Sequence, residues 1–189
     1  MTSSIVTPTR LATLAATGLL ALGLAACSST AAPEASTSAS PTDTATLVVN
    51  SACNGDEGVT VVIDAGALKG GDTVDRTACV ITDKPIVVSD ALATLGVTLE
   101  GTEQYGDQVV CRVDGLPSAT EPLGSASDPS YVESCKTMPA AFGYWSLWLK
   151  PAGGAWDYAQ EGVSAQKAAP GESVELLFTL DGAPAAPAA

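Results

Sequence analysis

Four cysteines, Cys53, Cys79, Cys111 and Cys135, constrain what this chain can fold into more than any other feature of its sequence. They lie within residues 47–181, a stretch of about 130 residues that can build one hydrophobic core and not two. A disulfide removes conformations from the unfolded chain, so the pairing dictates which segments become neighbours. Four cysteines allow three pairings. Cys53–Cys79 together with Cys111–Cys135 is the favoured one, because each bond closes a loop of about two dozen residues around a hairpin or a hairpin plus loop. Loops of that size contribute ~3 kcal/mol each in the chain-entropy picture. Metal binding is a poor competing use: the four are widely spaced, none form a CxxC knuckle, and the chain has no histidine.

The N-terminal residues indicate where such bonds would form. Thr2–Arg10 is polar with one positive charge, and Leu11–Leu24 is a continuous run of Leu, Ala, Gly and Thr. That run has signal-peptide length and falls short of the ~20 residues a membrane span needs. It closes on Leu24-Ala25-Ala26-Cys27, the bacterial lipobox pattern, in which small residues admit the peptidase and the cysteine sulfur takes a diacylglycerol. Residues 1–26 are therefore read as a lipoprotein signal peptide and Cys27 as the lipid-attachment site. Acyl chains, palmitate among them, would hold the protein on the outer face of the cell membrane at ~0.8 kcal/mol per buried methylene. Disulfides persist in that extracytoplasmic setting. Residues 27–46, almost entirely Ser, Thr, Ala and Pro, read as a tether, and 182–189 (GAPAAPAA) as a disordered tail, since neither has the apolar surface to offset chain ordering. Without Arg10, seven basic residues face 21 acidic ones, a net charge of −14. Such a surface repels phosphate backbones and anionic headgroups, so no nucleic-acid partner is expected and the membrane is met through Cys27.

Between tether and tail the punctuation is that of an α+β domain. Gly58–Asp64 is a β-branched run bounded by glycine and Asp-Ala-Gly, and Thr73–Ile81 returns from the Lys69–Asp72 turn to make a hairpin. Ser89 is placed to cap a short helix, Asp90–Leu95, with Leu92 and Leu95 on one stripe and Gly96 as its stop. Val97–Leu99, Gln108–Val113, Gly143–Lys150, Ala155–Ala159 and Val174–Leu180 read as further strands, and 114–136 as a long loop anchored near Cys135. A mixed sheet packed by one face on a single helix is the expected architecture.

Six of the nine aromatic residues, including all three tryptophans, fall in the seventeen residues FGYWSLWLKPAGGAWDY, 142–158. Strand alternation puts Trp145, Leu147 and Leu149 on one face and Tyr144, Ser146, Trp148 and Lys150 on the other. The first set is wholly apolar and is assigned to the core, where a tryptophan can bury ~150–250 Å². The second is amphipathic, as a ligand platform would be. Trp156 and Tyr158 share a face whose direction the pattern leaves open. Tyr144, Trp148, Trp156 and Tyr158 are accordingly the candidate ligand-binding residues, with Trp148 expected to be open to solvent.

The motifs Val59-Thr-Val-Val-Ile-Asp64, Val110-Cys-Arg-Val-Asp-Gly-Leu-Pro117, Tyr144-Trp-Ser-Leu-Trp148, Gly154-Ala-Trp-Asp-Tyr158 and Pro170-Gly171, in that order, resemble those of a known family. It is that of the actinobacterial lipoproteins carrying a transcobalamin C-terminal-like, ubiquitin-like β-grasp domain, and the resemblance covers roughly residues 53–180. It implies a β-grasp fold. It also implies binding of a small ligand, corrinoid-related, or service to a neighbouring uptake system at the membrane.

The absence of histidine removes the usual general base and the Ser-His and Cys-His nucleophiles. No phosphate-binding glycine loop is present, and Gly70-Gly71 and Gly153-Gly154 read as turns. Asp56-Glu57 and Asp72 with Asp75 sit near turns and read as solvated surface rather than calcium ligands. The chain is thus expected to be no enzyme and to need no cofactor. It is read as a surface-tethered ligand-binding or uptake-accessory module, with a small molecule and a membrane transporter as partners. The alternative is a protein-interaction or inhibitor-like lipoprotein that presents the 114–135 loop to a surface protein.

Overall fold

The structure is a computed structural model that describes residues 48–188. The segments expected to be a signal peptide (1–26) and a tether (27–46), with the expected lipid-attachment site Cys27, lie outside the described residues. A two-residue strand, β1 (Val48–Val49), precedes the first long strand, β2 (Gly58–Asp64), which turns through a short 3-10 segment at Gly71–Thr73 into β3 (Arg76–Ile81). The hairpin is antiparallel, with Val59 opposite Val80 and Val61 opposite Ala78. Cys53 and Cys79 are disulfide-bonded, which fastens the segment leading into β2 onto β3. The second bond joins Cys111 to Cys135, so the favoured pairing is the one found.

A strand pair, β4 (Ile86–Val87) with a later partner, leads directly into the single α-helix among the described residues, α1 (Val88–Thr94). The helix begins before Ser89, and no side chain caps it. Its first amides are taken by carbonyls instead: Val88 donates to Gln166 O at 2.9 Å and Ser89 to Val163 O at 2.9 Å. Those acceptors come from a segment over seventy residues away, which local capping chemistry does not reveal. Gly96, at φ +71°, stops the helix as expected.

β5 (Leu99–Thr102) and β6 (Gly106–Val113) form their own irregular hairpin, followed by β7 (Gly143–Lys150), β8 (Asp157–Tyr158), β9 (Lys167–Ala168), which pairs with β4, and β10 (Ser173–Leu180). The main sheet is mixed and runs β1-β3-β2-β10-β7-β8. Its centre is β10, parallel to β2 and antiparallel to β7. The inner face carries Val59, Val61, Ile63, Val80, Trp145, Val174, Leu176 and Phe178, all in one buried core with Val88, Ala91 and Leu92 of α1. A seven-residue helix is only ~10 Å long, too short to cover six strands. The β5–β6 hairpin therefore shares the task, contributing Val110 and Val113 to the core.

The C-terminal residues depart from the expected disordered tail over their described part. Leu180 and Ala183 exchange backbone hydrogen bonds across a tight turn. Thr179 Oγ1 then donates to Pro184 O at 2.9 Å, and Trp156 Nε1 donates to Ala188 O at 3.0 Å. Composition missed this because the anchors belong to the domain and not to the tail.

Candidate functional site

Strand β7 displays the two faces that alternation predicted, but both are covered. Trp145 lies in the core, edge-to-face against Phe178 with ring centroids 5.2 Å apart, and its indole N–H donates to Leu116 O at 3.0 Å. On the outer face the expectation of an open Trp148 is overturned: the residue is only 6% exposed. Its cross-strand partner is Tyr158, whose ring stacks on it at 3.9 Å between centroids and 28° between planes. The indole N–H is also engaged, donating to Ser146 Oγ at 2.9 Å, while Ser146 in turn donates to Leu177 O at 3.0 Å. Trp148 is a structural residue of the outer face.

The open space lies one step along the strand. β8 pairs only with Trp148 and Leu149 of β7, and Ala159 reaches Leu147 O with its amide, so the edge of β7 towards Tyr144 carries no partner strand. A cleft of about 330 Å³ opens there, between that edge, β6 and the segment following β8. Its floor is apolar, made of Val110, Trp145, Val163 and Leu176. The rim carries the Tyr144 and Tyr158 phenols, the Gln108 and Gln160 amides and the thioether of Met138, which is 56% exposed. Glu161 is the one carboxylate among the lining residues, and no cation lines it. A second hollow of about 430 Å³ lies across the Tyr158–Glu161 ridge, beside Leu149, Pro151 and Gln166. Partial burial raises the Tyr158 phenol above its ordinary pKa, and a hydrogen bond with the neighbouring Tyr144 phenol adds to the effect.

Of the four candidates, the cleft thus brings together Tyr144 and Tyr158. Trp148 lies beneath Tyr158, and Trp156 stands outside the cleft, half-buried, with Lys150 Nζ 5.6 Å from its ring centre. Reading along the chain missed Gln108, Met138, Gln160 and Glu161, because no period or motif links them. The one readable signal was Met138, the sole methionine besides Met1.

The 114–135 loop is tied to the domain along its length. Arg112, only 5% exposed, donates to Pro117 O at 2.9 Å and to Glu133 O, and also pairs with Glu100. Asp114 pairs with Arg76 and accepts from the Thr98 amide. Leu123 is buried against Gly143, where a Cβ would stand 2.2 Å from the Leu123 Cδ2 atom, so a larger residue there would push the leucine side chain aside. Asp181 accepts from Ser125 Oγ, Ser127 Oγ and the Ala126 amide, and these hydrogen bonds, Ser125 first, hold its carboxyl below the usual range. Glu133 accepts from Tyr131 and from the Cys135 amide, and burial first, then that hydrogen bond, push the Tyr131 phenol up to about 12. Cys111, Glu133 and Cys135 sit close enough to suggest a metal, but both sulfurs are committed to the disulfide.

Compared with protein families, curated proteins and solved structures, the chain matches none. Among the described residues no helix is long and apolar enough to cross a membrane.

Proposed function

We propose that this protein is a non-catalytic ligand-binding or uptake-accessory module, tethered outside the membrane by Cys27, with the cleft at the open edge of β7 as its binding site. The observation that carries the reading is the makeup of that cleft: an apolar floor ringed by two phenols, two amides and one carboxylate. Ligand sites are commonly concave and apolar with a few converging polar groups, and their volumes run from ~300 to ~1,000 Å³. At about 330 Å³ this one suits a ligand, or the arm of a larger ligand, of one or two rings. A negative ligand would meet Glu161 and the acidic surface with no cation in the lining, so the fitting class is uncharged or cationic. Catalysis finds little support there, since the lining has one carboxylate and the chain no histidine.

The topology supports the β-grasp reading. The first long strand and the last lie side by side and parallel at the sheet's centre, each with an antiparallel neighbour, and the helix falls between the two halves of the sheet in sequence. The two disulfides suit the oxidising environment that the lipobox assigns.

Trp145 lines the cleft, so its fluorescence reports occupancy. Cyanocobalamin and a panel of neutral oligosaccharides are titrated into the mature protein. The expected result is saturable quenching by at least one of them, weakened about tenfold by Tyr158→Ala, a loss of ~1.4 kcal/mol. A flat response to every probe, from protein with both disulfides formed, overturns the reading.

A further inference from the structure

The outer face of the sheet holds a second arrangement that the cleft does not use. Its occupant is the chain's own C-terminal segment, Pro184-Ala-Ala-Pro-Ala188. The two prolines, three residues apart, are half-buried, while Ala185, Ala186 and Ala188 are exposed. Two side chains of the domain read the segment's carbonyls: Thr179 Oγ1 holds Pro184 O, and the Trp156 indole N–H holds Ala188 O. The Pro184 ring is seated at Gly66, where a Cβ would come within 3.0 Å of Pro184 Cδ and 2.8 Å of the Phe178 carbonyl oxygen. Thr179 lies on β10 and Trp156 immediately precedes β8, so the segment crosses the sheet over β7 rather than extending it as a strand. None of Thr179, Gly66 and Trp156 lines the cleft.

We propose that this face is a binding site for proline-rich segments of the Pro-x-x-Pro type, occupied in the free protein by residues 184–188. The chemistry of the contacts argues for that class. Proline has no N–H to donate, so such a segment offers a binder only its flat rings and its carbonyl oxygens. This site supplies the complement: a side-chain-free seat for a ring and two donors aimed at carbonyls, one of them an indole. Capture of proline-rich segments by aromatic side chains works on this division of labour, and the stiffness of proline lowers the entropy lost on docking. The resident segment is joined to β10 by a three-residue turn, Asp181–Ala183. A tether that short raises its effective concentration to roughly the millimolar range or above, so even a weak site stays filled until a better segment competes.

The test uses the anisotropy of a fluorescein-labelled peptide, Gly-Ala-Pro-Ala-Ala-Pro-Ala-Ala, titrated with three proteins: the intact mature chain, the chain ending at Ala183, and the intact chain carrying Pro184→Ala and Pro187→Ala. Removing or weakening the resident segment is expected to tighten peptide binding at least about tenfold over the intact protein. Adding Trp156→Phe to the shortened chain, or replacing both peptide prolines by alanine, is expected to reverse that gain. An all-alanine peptide that binds as well as the proline peptide overturns the proposal, as does a shortened chain that keeps both disulfides and its near-ultraviolet circular dichroism yet binds no better. Should the shortened chain fail to fold, the doubly substituted intact chain decides in the same way. None of the residues that hold the segment lines the cleft, so the quenching titration and the peptide titration read different contacts and can fail separately.

Discussion

The 114–135 loop and the 184–188 segment look alike in composition, both poor in periodic apolar residues and rich in Pro, Ser, Gly or Ala, yet the domain holds them in opposite ways. The loop is fastened from inside. A buried arginine, a buried glutamate, a buried leucine and a disulfide all tie it into the protein interior. The C-terminal segment is fastened from outside, by one hydroxyl and one indole acting on its carbonyls, with its own side chains supplying only proline rings. Segments of the first kind are structural, because letting go would strand buried charge. Segments of the second kind can leave and be replaced. The comparison therefore assigns rigidity to the face that was expected to be presented to partners, and exchange to the part that was expected to be unstructured.

The largest effect is expected at Arg112. Truncating Arg112 leaves two backbone carbonyls without their donor at ~1–3 kcal/mol each, and with the packing of its buried stem lost as well the cost is ~3–5 kcal/mol. Arg112 serves the carbonyls of Pro117 and Glu133 and the carboxylate of Glu100, and no other donor reaches Pro117 O or Glu133 O among the hydrogen bonds described. Arg112→Ala is therefore expected to lower unfolding free energy by about 3–5 kcal/mol and to make the loop susceptible to protease at 118–130. Arg112→Lys is expected to recover little, since an ammonium cannot reproduce the planar fork. A loss below about 1 kcal/mol would show that the disulfide alone holds the loop, and the contrast with the C-terminal segment would shrink accordingly.

The two regions also differ in how they treat a buried acid, and this sets the next effect. Glu133 under the loop is met by two donors, Tyr131 and the Cys135 amide. Glu175 on the outer face sits opposite Trp148 on one side and Val62 on the other, and is only 4% exposed. Burial first, and then the negative charge of Asp64 on β2, push its pKa up to about 7. Lys150, Tyr144 and Tyr158 share that face without reversing the shift. The folded state therefore favours the protonated acid. Its contribution is complete below the ordinary carboxyl value of 4.5, declines as pH rises, and is gone above about 7. The loss across that window is about 3 kcal/mol. Glu175→Gln is expected to flatten the profile and to raise stability at pH 8 by about 2–3 kcal/mol, measured by urea unfolding from pH 4.5 to 8. An unchanged slope in the variant would place the pH dependence elsewhere.

How much of this was legible in the sequence follows the same division between local and distant causes. The boundaries of β2, β7 and β10 could be read to within a residue or two, because period-two alternation is a local property. The disulfide pairing could be read because each bond closes a short loop around neighbouring strands. Alternation also assigned Trp145 correctly to the core, but it says which residues share a face and never what lies over that face. Trp148 was misjudged for that reason: its cover, Tyr158, is brought round by the Pro151–Gly154 turn. The cleft was half legible, through Tyr144 and Tyr158, and half hidden, since Gln108 and Met138 arrive from segments thirty or more residues away from one another. Arg112 gave no local sign beyond being one of few cations in an acidic chain, and its partners at 117 and 133 are set by the path of the loop.

The smallest effect tests the other half of the comparison. Ending the chain at Ala183 removes two carbonyl acceptors and two half-buried rings while keeping the Leu180–Ala183 turn. Each partly exposed hydrogen bond contributes ~0.5–1.5 kcal/mol net, and fixing a segment of five residues opposes that gain. The shortened chain is accordingly expected to lose only about 1 kcal/mol, against several for Arg112→Ala, with unchanged near-ultraviolet circular dichroism. Hydrogen exchange sharpens the point: amides of 184–188, apart from the prolines, should exchange near the unprotected rate, and those of β6 and β7 near the global limit. A loss above about 3 kcal/mol would place the segment with the loop, as part of the fold's interior support rather than an occupant of its surface. Exchange of one proline-rich segment for another depends on this modest value, because a site can be vacated only if the domain stands without its occupant.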